Sequence, residues 1–87
     1  ADIVAQLGVA HAGMKSYTEA MKYFDMAEAL EPGSAYVLYN KAVLYDRMGN
    51  QQQAATLYRQ LVRMAAEGSL REPVPLEAVR RRLATMR

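Results

Sequence analysis

The chain has 87 residues, of which 52% are hydrophobic and 23% charged, and it contains no cysteine. This composition is typical of one ordinary globular domain, and it excludes a disulfide framework and a thiolate metal site. The apolar runs are far shorter than the ~18 residues that a membrane span needs. The net charge of +2 is too small to indicate a nucleic-acid partner, and the basic excess lies in residues 71–87, with five Arg against two Glu.

Two helices are predicted before the first proline. The first covers about residues 3–14, and the second begins at Ser16 and ends at Pro32, since proline cannot continue the helical ladder. Apolar positions recur every three or four residues: Val4, Leu7, Gly8, His11 and Met14, then Ala20, Tyr23, Phe24, Ala27 and Leu30. Asp2 is predicted as an N-cap, and Ser16 with Glu19 as a capping box.

Three more helices are predicted after Pro32. Ser34 caps a helix that runs to about Met48, and Asn50 with Gln53 suggests a second capping box for a helix that ends near residue 67. Two prolines make residues 69–75 a loop, and a last helix covers about residues 75–87. The inward positions are Val37, Leu38, Lys41, Ala42 and Tyr45, then Leu76, Val79, Leu83 and Met86.

The sequence repeats itself after 34 residues. This shift aligns Ile3 with Val37, Val9 with Val43, Met14 with Met48, Ala20 with Ala54, and Phe24 with Tyr58. A fixed period of this size predicts stacked units that bury a common core. We therefore expect one all-α domain over residues 1–87, with repeats at about 1–34 and 35–68 and a capping helix at about 75–87.

Each unit resembles the tetratricopeptide repeat, a module of two antiparallel helices. In the first unit six of eight signature positions carry the usual residue, namely Leu7, Gly8, Ala20, Phe24, Ala27 and Pro32. The second unit offers Tyr45 and Ala54, with Tyr58 in place of phenylalanine. The resemblance implies a right-handed α-solenoid of about five helices, in which these residues are structural.

In this family the first helix of each pair lines a concave groove that holds peptides. The corresponding residues of the first unit are Asp2, Ala5, Gln6, Val9 and Gly13, and those of the second are Tyr36, Tyr39, Asn40, Val43 and Arg47. The second set is chemically richer, and Arg81 is expected at its rim. The resemblance thus implies a non-catalytic module, such as a chaperone-like adaptor, that binds a peptide segment of a partner protein. The alternative for the tyrosines is packing on neighbouring helices.

Two other functions remain open. The face around Ile3, Val4 and Leu7 is predicted to stack on another copy or on upstream repeats, which would make the chain an assembly scaffold. The run Arg80-Arg81-Arg82 is the basis of the other, a basic tail that binds nucleic acid or an anionic surface. That run spans almost a full turn, so a solvated face at a helix C-terminus is the simpler interpretation.

Chemistry of other kinds finds no support in the sequence. The carboxylate clamp of some tetratricopeptide domains matches at Asn40, but Ala5 and Val9 hold its first-helix positions. His11 is predicted as a satisfied core histidine, and the methionines as gap-filling core. No catalytic, metal or cofactor site is predicted. We expect the chain to be a segment of a longer protein, and its sequence leaves the partner and the compartment, cytoplasm or bacterial periplasm, open.

Overall fold

A computed structural model describes residues 2–86, which form five α-helices and no strand within that range. Their bounds are α1 Asp2–Gly13, α2 Tyr17–Leu30, α3 Ala35–Arg47, α4 Gln51–Ala66 and α5 Leu76–Thr85. The packed neighbours are α1 with α2, α2 with α3, α3 with α4, and α4 with α5. The all-α helical-repeat fold is thus confirmed.

Ser34 caps α3 as predicted, and a distant residue reinforces it. The Ser34 hydroxyl accepts a hydrogen bond from Val37 N at 3.3 Å. Glu72, in the loop before α5, accepts from the Ser34 hydroxyl at 2.8 Å and from Tyr36 N at 3.2 Å. A carboxylate at a helix N-terminus is favoured by the exposed N–H groups and the helix dipole. The loop is therefore tied to the start of α3.

The two predicted capping boxes are wrong. Neither Ser16 nor Asn50 makes a side-chain capping bond, because ψ is 71° at both residues, whereas it is 119° at Ser34. Their backbone N–H groups instead donate to the preceding helix, from Ser16 to His11 O at 2.8 Å and from Asn50 to Tyr45 O at 2.9 Å. Each tight turn thus fixes the backbone by closing the previous helix.

Phe24 occupies the junction of α1, α2 and α3. Its ring is 1% exposed and packs in one cluster with Ala20 and Leu44. On the α1 side, a Cβ placed on Gly8 would lie 2.6 Å from a Phe24 ring carbon. The ring therefore occupies the space that a side chain at position 8 would need. This agrees with the structural roles predicted for Gly8, Ala20 and Phe24.

A second cluster joins α3, α4 and α5. Its buried members are Ala35, Leu38, Ala42, Ala54, Tyr58, Leu61 and Val79. The α4 residues Ala54, Tyr58 and Leu61 stand 34 positions after Ala20, Phe24 and Ala27. The α5 helix therefore covers α4 at the repeat equivalents of the residues that α2 buries.

Several predicted core positions on the outer side of the first unit are exposed. Leu7 is 43% exposed, Met14 64% and Leu30 65%, so their assignment to the core is wrong. Ala5 and Leu44 are buried in their place. The reason is positional, since the stripe of α1 that contains Leu7 has no other helix against it within residues 2–86, whereas α2 covers the equivalent stripe of α3.

Lys41 is paired rather than extended into solvent. Its ammonium lies 2.9 Å from an Asp25 oxygen and 2.8 Å from a Glu28 oxygen, and its side chain is 13% exposed. Burial alone would lower the pKa of Lys41, but the hydrogen bonds to Glu28 and Asp25 outweigh it, and the pKa is raised. A charge at a normally apolar position thus becomes a link between α2 and α3.

The two glycines of α1 provide a matched test of the packing around Phe24. Gly8→Ala gains about 1 kcal/mol of helix propensity but overpacks the core at a cost of about 1–3 kcal/mol, so we expect a net loss of up to about 2 kcal/mol. A Cβ at Gly13 meets nothing within 4 Å. Gly13→Ala should therefore stabilise by up to about 1 kcal/mol. Urea unfolding followed by circular dichroism measures both, and equal effects of opposite expectation, with Gly8→Ala as stable as Gly13→Ala, would contradict this packing.

Candidate functional site

A groove runs between α1 and α3, and we call it the α1–α3 groove. It is lined by Gln6, Val9 and Gly13 of α1 and by Tyr36, Asn40, Val43 and Arg47 of α3. Residues at spacings of three or four share one side of a helix, which explains why these side chains line up. Two helices of the same rank in the repeat therefore form one accessible surface.

The groove has an apolar cavity towards the C-terminal end of α3. Its volume is about 210 Å³, and its lining consists of Val9, Ala12, Gly13, Phe24, Asn40, Val43, Leu44 and Arg47. Arg47 is exposed, while Asn40 and Val43 are half-buried. The Asn40 amide donates to Tyr36 O at 2.9 Å, which leaves its carbonyl oxygen and a second N–H without a protein partner among residues 2–86.

A second depression lies towards the N-terminal end of α3. It is lined by Gln6, Tyr36, Glu72 and Pro73. Glu72 and Pro73 belong to the loop before α5, and they were not predicted as site residues. Their presence depends on the bond between Glu72 and Ser34, which joins residues 38 positions apart. No local sequence pattern signals such a contact.

The predicted row on α3 divides in the structure. Tyr36, Asn40, Val43 and Arg47 line the α1–α3 groove. Tyr39 instead packs against the second cluster and lines a different cavity. For this tyrosine the alternative of packing on neighbouring helices describes its position.

The residues predicted from the other helices are also redistributed. Ala5 is 1% exposed and packs with Ala27 and Val37, so it offers no groove surface. The side chain of Asp2 lies outside the described part of the chain. Arg81 is exposed in a depression with Glu77, Arg80 and Ala84, which shares no residue with the α1–α3 groove.

Arg82, rather than Arg81, faces the rest of the fold. Its guanidinium donates two hydrogen bonds of 2.7 Å to the carboxylate of Asp46, one from Nε and one from Nη2. The Tyr58 hydroxyl donates to the same carboxylate at 3.5 Å. The hydrogen bonds from Arg82 lower the pKa of Asp46. Burial, together with the charge of Asp46, raises the pKa of Tyr58 to about 12.

This pairing also changes the interpretation of the basic tail. Arg82 is committed to Asp46, and Arg80 and Arg81 share their depression with Glu77. The three arginines therefore do not form one basic surface. Nucleic-acid binding normally requires a broader basic patch.

His11 is not a satisfied core histidine, and that expectation is wrong. Its ring stacks on Tyr23 with centroids 5.2 Å apart and an interplanar angle of 16°. Its Nδ1 atom is buried and has no hydrogen-bond partner among the residues the structure describes. The stacking fixes the ring in place of a hydrogen bond. His11 does not line the α1–α3 groove.

Other kinds of site were sought over residues 2–86. In that range no three side chains of His, Asp or Glu come together as a metal site would require. None of the helices described is both long and apolar enough to cross a membrane.

One comparison with known proteins gives a match. Residues 36–65 match the family model described as tetratricopeptide repeat. The match begins at Tyr36 in α3 and ends near the C-terminus of α4, so it covers the helix pair that carries most of the groove. No curated protein and no solved structure gives a significant match to the chain.

The ion pair of Asp46 should make the docking of α5 sensitive to acid. Because the fold lowers the pKa of Asp46 below its ordinary 3.8, the stability that this group contributes is present above that value and is lost as the pH falls through the folded pKa. Arg82→Met should therefore lower the urea midpoint at neutral pH, and its difference from the wild type should shrink below pH 3.8.

Arg80→Met is the matched control, because Arg80 is exposed on the same helix. It should leave the urea midpoint nearly unchanged at both pH values. A difference between Arg82→Met and the wild type that does not depend on pH would contradict the role given to Asp46.

Proposed function

The chain belongs to the tetratricopeptide-repeat family, and we propose that it is a non-catalytic protein-interaction module that binds an extended peptide segment of a partner in the α1–α3 groove. The family match supports the general role of protein interaction. The choice of this surface follows from the chemistry of the groove.

The observation that carries the proposal is an accessible apolar cavity bordered by unpaired polar groups. Val9 and Val43 line it, and Asn40 keeps a carbonyl oxygen and an N–H available. An asparagine can both donate to and accept from a peptide backbone. Ligand sites are typically apolar depressions with a few such polar groups. The groove therefore offers both burial and backbone recognition.

The length of the groove fits a short segment. Tyr36 and Arg47 are eleven residues apart on α3, which is about 16 Å along the helix axis. An extended chain rises by about 3.3 Å per residue, so about five residues span this distance. The carboxylate-clamp alternative finds no support, since Ala5 is buried and Val9 carries no polar group.

Gly13→Leu is a direct test of the groove. Open space surrounds the Cβ position of Gly13, so leucine fits without a clash and fills the cavity. Peptides selected from a phage-displayed random library on the wild-type chain should shift the amide NMR signals of Asn40, Val43 and Arg47. Gly13→Leu should weaken their binding by about tenfold or more, which corresponds to about 1.4 kcal/mol.

The control is Ala66→Leu, a change of equal size at an exposed position of α4. It should leave the affinity unchanged. Selected peptides that shift the signals of α2 and α4 instead, or that bind Gly13→Leu normally, would show that the groove is not the binding site.

A second function, as an assembly element, is favoured by one observation. Ile3 is 76% exposed, whereas Val37, its equivalent after 34 residues, is 2% exposed beneath α2. Leu7 and Met14 extend the exposed stripe along α1. An apolar surface that is buried between units in one repeat and open in the other suits stacking on a second copy or on another repeat.

Charging this stripe tests the second function. If the chain self-associates, sedimentation should show a species larger than the monomer at high concentration, and the double variant Ile3→Lys/Leu7→Lys should return it to a monomer. Met26→Lys/Leu30→Lys, at exposed apolar positions of α2, serves as the control. A wild-type chain that stays monomeric at every concentration contradicts self-association.

A further inference from the structure

We propose that the peptide segment recognised by the α1–α3 groove is acidic, with the side-chain carboxylate of an Asp or Glu bound by Arg47 and a neighbouring apolar side chain seated in the cavity above Phe24. This inference rests on the proposed function and specifies the class of partner. It is carried by the charges at the two ends of the groove and by the apolar floor between them.

Arg47 is the cationic group of the cavity. It is exposed in the last turn of α3, and no ion pair occupies it among residues 2–86. The adjacent Asp46 is bound to Arg82 on another side of the helix. A guanidinium presents a planar fork of N–H groups that matches a carboxylate, and such charge-assisted bonds are stronger than neutral ones.

The floor beside Arg47 is apolar. Phe24, Val43 and Leu44 line the same cavity, and Gly13 leaves its edge open. An apolar side chain that enters here loses contact with water without displacing a protein group. The cavity thus selects for an apolar residue next to the acidic one.

The opposite end of the groove carries negative charge. Glu72 lines the depression beside Tyr36, about 16 Å from Arg47 along α3. One of its oxygens binds Ser34 and Tyr36 N, and the other has no partner among residues 2–86. A peptide carboxylate is repelled at this end and attracted at Arg47. The two charges therefore fix the position of the acidic residue.

The carboxylate is assigned to a side chain rather than to a peptide C-terminus. Gly13, Arg47 and Met48 are all exposed, so the groove opens to solvent at the arginine. A bound chain can continue past this end.

Selection from the phage-displayed random library provides the test, with the wild-type chain and Arg47→Glu as separate baits. Wild-type selections should be enriched in Asp or Glu next to an apolar residue. Arg47→Glu should select Lys or Arg at that position. The control bait is Arg59→Glu, because Arg59 is an exposed arginine of α4, and it should select the same peptides as the wild type.

Affinity measurements then separate recognition from a purely structural role. Arg47 lies where a cation also stabilises the helix C-terminus. Arg47→Lys keeps that charge and should keep the stability, yet it should weaken a selected peptide by about fivefold, because the fork of donors is lost. Replacing the acidic residue of the peptide by Gln or Asn should weaken binding by a similar factor. Amidation of the peptide C-terminus should have no effect.

Each outcome has a definite meaning. Peptides that bind in the groove without acidic enrichment, or whose affinity Arg47→Lys leaves unchanged, overturn the acidic assignment and leave the proposed function intact. A loss on amidation assigns the carboxylate to the peptide terminus and also overturns it. If no selected peptide shifts the groove signals, both proposals fail.

Discussion

The ring of Phe24 fills the space left by Gly8 on α1 and contacts Leu44 on α3, and this contact holds the first helix pair against the second. The ring also forms part of the floor of the α1–α3 groove. One side chain therefore determines both the distance between the helices and the depth of the surface they present. A domain of this size has a small core, so the loss of such a residue affects the fold and the groove together.

Three polar contacts supplement this core, and each joins elements that are far apart in the chain. Lys41 binds Asp25 and Glu28, Arg82 binds Asp46, and Glu72 binds Ser34. Paired in this way, partly buried charged groups retain hydrogen-bonding partners after they leave water. The last of these contacts also places the loop before α5 beside Tyr36, where it forms one end of the groove.

The two repeats serve different purposes in one architecture. Small and aromatic residues of α2 and α4, such as Ala20 and Ala54, are buried and recur after 34 residues because every unit must stack. The α3 side of the groove does not follow the repeat in this way. Asn40 and Arg47 stand where α1 has Gln6 and Gly13, and this difference gives the groove its polar and charged groups.

The sequence by itself determined the five helices, their approximate ends and the repeat fold, because proline, glycine, the cap at Ser34 and helical spacing act within a few residues. It also indicated most of the groove side of α3. Only the tertiary structure decided that Tyr39 and Arg82 face the α5 junction, that Leu7 is exposed and that Glu72 enters the site. These outcomes depend on the rotation of each helix against its neighbours and on contacts over more than thirty residues, which no local pattern encodes.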